Sequence, residues 1–248
     1  MLRKLIVLVP LLTLGGLSIA YATSPADTLI PGIDLGSNDP GSVSNSLRII
    51  LLITVLSIAP AILVLMTCFT RIIVVLGFVR NALGTQQIPP NQVLIGLALF
   101  MTFFIMGPTF SQINHDGLEP FMSGKMSQQE AFNAASEPLK EFMAKQTREK
   151  DLALFMDYAG MKTPKEVKDI PINALVPAFA ISELKTAFQM GFMIFIPFLV
   201  IDMIVSSVLM SMGMMMLPPV MISMPFKILL FIMVDGWNLI IKSLLTSF

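Results

Sequence analysis

Residues 201–237 read IDMIVSSVLMSMGMMMLPPVMISMPFKILLFIMVDGW, and this stretch decides the fold. It is apolar on both sides of a break made by Gly213 and Pro218-Pro219, residue types that punctuate helices. It therefore predicts two apolar helices joined by a loop. Seven of the fifteen residues from Met210 to Met224 are methionine. Methionine is unbranched, flexible and soft, so it fills irregular gaps and repacks around varied surfaces. One or two would be core filler. The run Met214-Met215-Met216, beside glycine and two prolines and approached by Met210 and Met212, reads instead as a deformable seal. Thioethers also suit Cu(I), but no His or Cys stands nearby to strengthen a copper site.

Asp202 and Lys227 are the only charges between Thr186 and Val234. An ionisable residue in an apolar block is costly enough to mark a functional site with a partner. If the chain turned sharply at Pro218-Pro219, the two would lie about 24 and 13 Å from the turn, and would miss each other. If all of Gly213–Pro219 is a loop, the depths become roughly 15 and 12 Å, and the charges come level. A carboxylate–ammonium pair set back from a methionine loop follows. Spacing leaves open whether it closes within a chain or between subunits, and whether it fixes helix register or gates.

The rest of the chain agrees with a membrane setting. Of 248 residues, 55% are hydrophobic and 13% charged, against about a quarter charged in a soluble domain. Ile49 to Thr70 is uncharged and long enough for one span, with Pro60 inside it expected to kink it. The turn NALGTQQIPPN (81–91) leads to a second span from Val93 to Phe110, ended by Gly107-Pro108. A third apolar block runs from Thr186 to Phe226 and a fourth from Val220 to Ile241, with Trp237 as an interfacial aromatic. The expected fold is all-α and membrane-associated. It has about four long apolar helices in hairpins (residues 47–110 and 181–248) and an amphipathic helical region (111–180).

At the N-terminus, Arg3 and Lys4 precede an apolar run from Leu5 to Ile19, and Ala20-Tyr21-Ala22 offers a small-x-small cleavage site. Residues 1–22 read as a cleaved signal peptide, with Ala20 and Ala22 marking the cut. Residues 23–46, rich in Gly, Pro, Ser and Asp, read as a flexible segment on the outer face. Arg71 and Arg80, with no acidic neighbours, put the first connecting loop in the cytoplasm. The mixed-charge region then lies in the periplasm.

That region, from His115 to Ile170, carries eight Lys/Arg and ten Asp/Glu. Phe132, Ala135, Leu139, Phe142, Met143 and Gln146 fall near helical spacing. Ser136-Glu137-Pro138 reads as a helix start, and Thr163-Pro164-Lys165-Glu166 as a capping box. The apolar face packs on its own chain or on a partner. His115, in a polar turn, is a solvated histidine. Cys68, the sole cysteine, reads as a buried inert thiol and excludes a disulfide framework.

RNALGTQQIPPNQVLIGLALFMTFFIMGP (80–108), LVPAFAISELKTAFQMGF (175–192) and the opening stretch closely resemble the FliP family of flagellar type III export proteins. The likeness runs from about Leu47 to the C-terminal residues. Related SctR-type virulence-secretion proteins share the fold and generally lack a cleaved signal, so the signal peptide and GMMMLPP favour the flagellar branch. The resemblance implies a homo-oligomer, in the family a pentamer. It would assemble with FliQ-like and FliR-like subunits into a ring-like export gate, through which unfolded flagellar subunits pass. The implied site is in the bacterial inner membrane, within the flagellar basal body, with substantial periplasmic exposure. The family's methionine gasket falls on Met214, Met215 and Met216, and its buried charge pair on Asp202 and Lys227. The resemblance also implies subunit contacts at Glu183, Phe142 and Phe155. It further implies that many apolar helices are buried between subunits, since a helix apolar all round is buried without saying in what.

Other classes fit less well. A small-solute or ion transporter using Asp202 and Lys227 would be favoured by an inverted repeat, which the two halves do not show. An intramembrane hydrolase would need H-E-x-x-H, G-x-S-x-G, paired aspartates or a phosphate loop, and none is present. The expectation is therefore no catalytic residue, no metal, no cofactor and no nucleic-acid partner.

Overall fold

The computed structural model describes residues 40–248 apart from Gln86, Lys162, Thr163, Lys165 and Met215, with side chains from Ile49 onward except those of Val55 and Ala59. The signal peptide, its cleavage residues Ala20 and Ala22, and Met215 lie outside the described residues. Among those residues the chain is all-helical, without a strand. In order, the helices are α1 (Pro40–Met66), α2 (Phe69–Ala82), α3 (Asn91–Ile113), α4 (Glu119–Met122), α5 (Gln128–Gln146), α6 (Glu149–Tyr158), α7 (Ile172–Ser211), α8 (Pro219–Met233) and α9 (Gly236–Leu245). A π-helical turn, Asn114–Leu118, links α3 to α4, and a 3₁₀ turn, Val167–Asp169, precedes α7.

The chain divides into two compact units, residues 1–58 and 59–248. In the first, the described part is the beginning of α1. It starts at Pro40, so residues 40–46 are helical where the sequence suggested a flexible segment. In the second, α2 is the centre. Ile72, Val75, Leu76 and Val79 have no exposed surface, and they pack with Leu94, Ala98, Met101 and Met106 of α3 and Ala187 and Phe198 of α7. Gly191 permits the close crossing of α2 and α7, because a Cβ there would stand 2.4 Å from the Phe78 ring. A smaller core gathers Met143 of α5, Ile170, and Leu175 and Phe179 of α7. Cys68 is fully buried in the main core.

Among the described residues, three helices are long and apolar enough to cross a membrane, within Ile49–Met66, Asn91–Met122 and Ile172–Ser211; α8 with α9, bent by 64°, makes a fourth if counted as one broken span. α7 has 40 residues, about 60 Å of helix against about 30 Å of hydrocarbon. It is twice as long as a single crossing needs.

Several local expectations change. The first apolar run stops at Met66, not Thr70, because the Thr67 hydroxyl bonds back to the Leu63 carbonyl and also accepts the Phe69 N–H. Gly107-Pro108 does not end α3, which continues to Ile113. A proline forfeits one backbone bond, and the apolar turns on either side outweigh it. The third apolar helix starts at Ile172, well before Thr186. In the polar region, α5 starts at Gln128, capped by Ser127, and not at Ser136, since Ser127 and Glu130 form a reciprocal capping box. Pro138 is buried inside that helix. Of the other proposed box, Thr163 and Lys165 lie outside the described residues, and Glu166 makes no side-chain cap. The apolar stripe of α5 divides: Phe132 is exposed, while Leu139, Phe142 and Met143 pack on their own chain.

Candidate functional site

The methionine break is built by ordinary helix-ending chemistry. Gly213 has φ +74°, and its N–H bonds the Met210 carbonyl at 3.0 Å while the Met214 N–H reaches Leu209 at 3.0 Å. This is the glycine-terminated Schellman arrangement, which satisfies the last carbonyls of a helix. α8 restarts with Pro219 in its first turn, where a missing N–H costs nothing. Between the two ends, Met212, Met214 and Met216 are exposed, Met216 at 98%, and Met210 is exposed on the last turn of α7. The four described methionines at the break thus face outward, with no shared core of their own.

Behind the break stands the charge pair. Asp202 lies nine residues before the end of α7 at Ser211, and Lys227 eight residues after the start of α8 at Pro219. The depths are therefore about 14 and 12 Å. The Lys227 Nζ donates to Asp202 Oδ2 at 2.6 Å within the one chain. Lys227 is 2% exposed and Asp202 25%. A residue that sequence reasoning missed completes the group: Ser223, fully buried, donates its hydroxyl to Asp202 Oδ1 at 2.5 Å. The i, i+4 spacing of Ser223 and Lys227, both polar on an apolar helix, was the available signal. The turn after α2 closes over the lysine, with Gly84, at φ +75°, placed so that a Cβ would meet Lys227 Nζ at 3.9 Å and Val220 at 3.5 Å.

A second polar cluster was not expected. Arg71 was assigned to a cytoplasmic loop, but it is 2% exposed in α2. Its Nε donates to Glu183 Oε2 at 2.9 Å and one Nη2 hydrogen to Glu183 Oε1. Nη1 reaches the Ser247 carbonyl at 2.8 Å and its hydroxyl at 3.1 Å, and Nη2 also reaches Gln146 Oε1 at 3.1 Å. All five guanidinium hydrogens are matched. Its carbon sits 3.9 Å from the centre of the Phe248 ring, a cation–π distance. Arg80, the other cation of the expected loop, stands in the last turn of the same helix.

The residues implied to be subunit contacts have the following surroundings within the one chain. Glu183 has no exposed surface, and its carboxylate is taken up by Arg71 of the same chain. Phe142 packs on Phe179 and Phe248, with ring centres 6.0 and 6.4 Å away. Phe155 is half-buried on α6. The two clusters are distinct, linked by α7, which carries Glu183 and Asp202, and by α2, which carries Arg71 and leads into the Gly84 turn over Lys227. Among the described residues, no group of three His, Cys, Asp or Glu side chains converges to hold a metal ion.

The chain matches the FliP family over residues 52–244. It is 70% identical to the flagellar biosynthetic protein FliP of Bacillus subtilis (strain 168) over 212 residues, covering 86% of this chain and 96% of that one. It is 49% identical to the protein of the same name from Caulobacter vibrioides over 234 residues, 93% and 88% of the two chains. The corresponding protein of Rhizobium meliloti is 44% identical over the whole of both chains. An all-helical chain with a glycine-stopped methionine break, a charge pair behind it and this likeness over most of its length belongs to the FliP family.

Proposed function

We propose that the chain is a core subunit of the flagellar type III export gate and forms part of the channel through which unfolded flagellar subunits cross the bacterial inner membrane. Family membership makes it a flagellar biosynthetic protein of the export apparatus. The observation that carries the finer reading is the break at Met212–Pro218. Its described methionines, Met212, Met214 and Met216, are exposed, while the helices on either side are tied by a buried ion pair. Soft side chains on a rigid mount suit a seal that closes around an extended chain and parts for it.

Other features support an oligomer reaching beyond the bilayer. α7 is about twice the length of a crossing. Large apolar side chains such as Phe100, Phe104, Phe192 and Met193 are exposed on it and on α3, a surface suited to lipid or to other subunits. On this reading five copies assemble with FliQ-like and FliR-like subunits. A transporter that binds its solute at Asp202 and Lys227 is less favoured, since the lysine is buried and already paired.

The test is ion leakage. Replacing Met214–Met216 by alanine in cells assembling the gate should raise leakage of small ions across the membrane, with the amount of assembled protein unchanged. Normal leakage from a normally assembled complex would overturn the seal.

A further inference from the structure

We infer that Ser223 is a positioning residue that acts through Asp202 to lock α7 and α8 in register behind the methionine break, an inference that rests on the seal reading for its functional meaning. The Asp202 carboxylate does not make a single contact. Its Oδ1 receives the Ser223 hydroxyl at 2.5 Å and its Oδ2 the Lys227 ammonium at 2.6 Å. The two donors lie four residues apart on α8, one helical turn, so one carboxylate bridges successive turns of the facing helix.

The physics of that bridge differs from that of a lone ion pair. A salt bridge to the long, jointed lysine side chain tolerates sliding and rotation of one helix against the other. A serine hydroxyl sits one bond from Cβ and has no such reach. Holding it at hydrogen-bond distance from Asp202 fixes the height and the rotation of α8 together. Ser223 is fully buried and lies four residues past Pro219, where α8 begins. The constraint therefore acts at the first turns after the break, where slack would be passed directly to the methionines. The same hydroxyl also lies 3.1 Å from the Val220 carbonyl one turn back on its own helix, so the lock consists in the shorter bond across to Asp202.

The test separates the lock from the seal. Cys68 is the sole cysteine, so a Cys68→Ser background accepts spin labels at Ser207→Cys and Met221→Cys, both exposed on either side of the break. Full-length labelled protein is assembled with an excess of unlabelled chains, and the label-to-label distance is measured. A single narrow distance is expected, broadened by Ser223→Ala and restored by Ser223→Thr. In an Asp202→Asn background, Ser223→Ala should add much less broadening. An unchanged distribution in Ser223→Ala, or equal broadening in both backgrounds, would overturn the inference. In unlabelled protein, the same Ser223→Ala change should raise ion leakage. Broadening without leakage would retain the lock and remove the seal.

Discussion

Arg71 and Glu183, 112 residues apart in sequence, form a bidentate pair inside one chain. The pair ties α2 to α7, and through Ser247 and Gln146 it draws in the chain after α9 and the end of α5. Removing one member of a buried pair leaves the other charge unmatched, at a cost of about 3–5 kcal/mol, whereas replacing both by apolar groups is far milder. Glu183→Ala should therefore lower thermal stability of the purified protein sharply, and Arg71→Met with Glu183→Leu should lose less. Equal loss in the two variants would show that the pair is not the source.

Because Lys227 meets Asp202 within the chain, the effect of exchanging the charges depends on which molecule carries them. Asp202→Ala should impair export. Asp202→Lys with Lys227→Asp in one chain should recover part of it, measured as motility or secreted flagellin. Supplying Asp202→Lys on one chain and Lys227→Asp on another should give no such recovery. Recovery by the mixture alone would mean that the pair closes between subunits.

These two clusters differ in how far the sequence exposed them. Asp202 and Lys227 were legible because each is alone in an apolar block, and a helix rise places them level once the Gly213–Pro219 break is recognised. Arg71 and Glu183 were not, because their contact depends on how α2 crosses α7 and no local spacing encodes that. Arg71 beside an apolar run looked like the edge of a loop, and the main helical core that buries it is a property of the packed chain. The same limit explains Pro138 and Pro108. Read locally they are helix boundaries; in the fold, neighbouring helices offset the single backbone bond each one forfeits.

The crossing that buries Arg71 depends on Gly191. A Cβ there would approach Cγ and Cδ2 of Phe78 at 2.4 Å and its Cβ at 3.0 Å, so the whole ring must move. Phe78 is held edge-on against Phe188 at 5.4 Å. Gly191→Ala should cost about 1–3 kcal/mol, the usual range for overpacking. Phe78→Leu in the same chain should return part of it. If thermal unfolding of Gly191→Ala matches the parent, the close approach is not tight.

The last prediction concerns acid. Glu130 is exposed, and hydrogen bonds from the Ser127 hydroxyl and N–H hold its carboxyl below the usual range. A carboxylate with a depressed folded pKa contributes stability above its unfolded pKa, near 4.5. That contribution is lost as pH falls through the folded value. The first turn of α5 should therefore fray on acidification from just above 4.5 downward, seen as faster amide exchange at Ala131 and its neighbours than in the middle of the helix. Glu130→Gln should flatten this dependence, because an amide keeps the cap geometry but does not titrate. Ser127→Ala removes the other half of the box and should weaken the turn by about 1 kcal/mol at neutral pH. A pH response in Glu130→Gln as steep as in the parent would assign the fraying to another group.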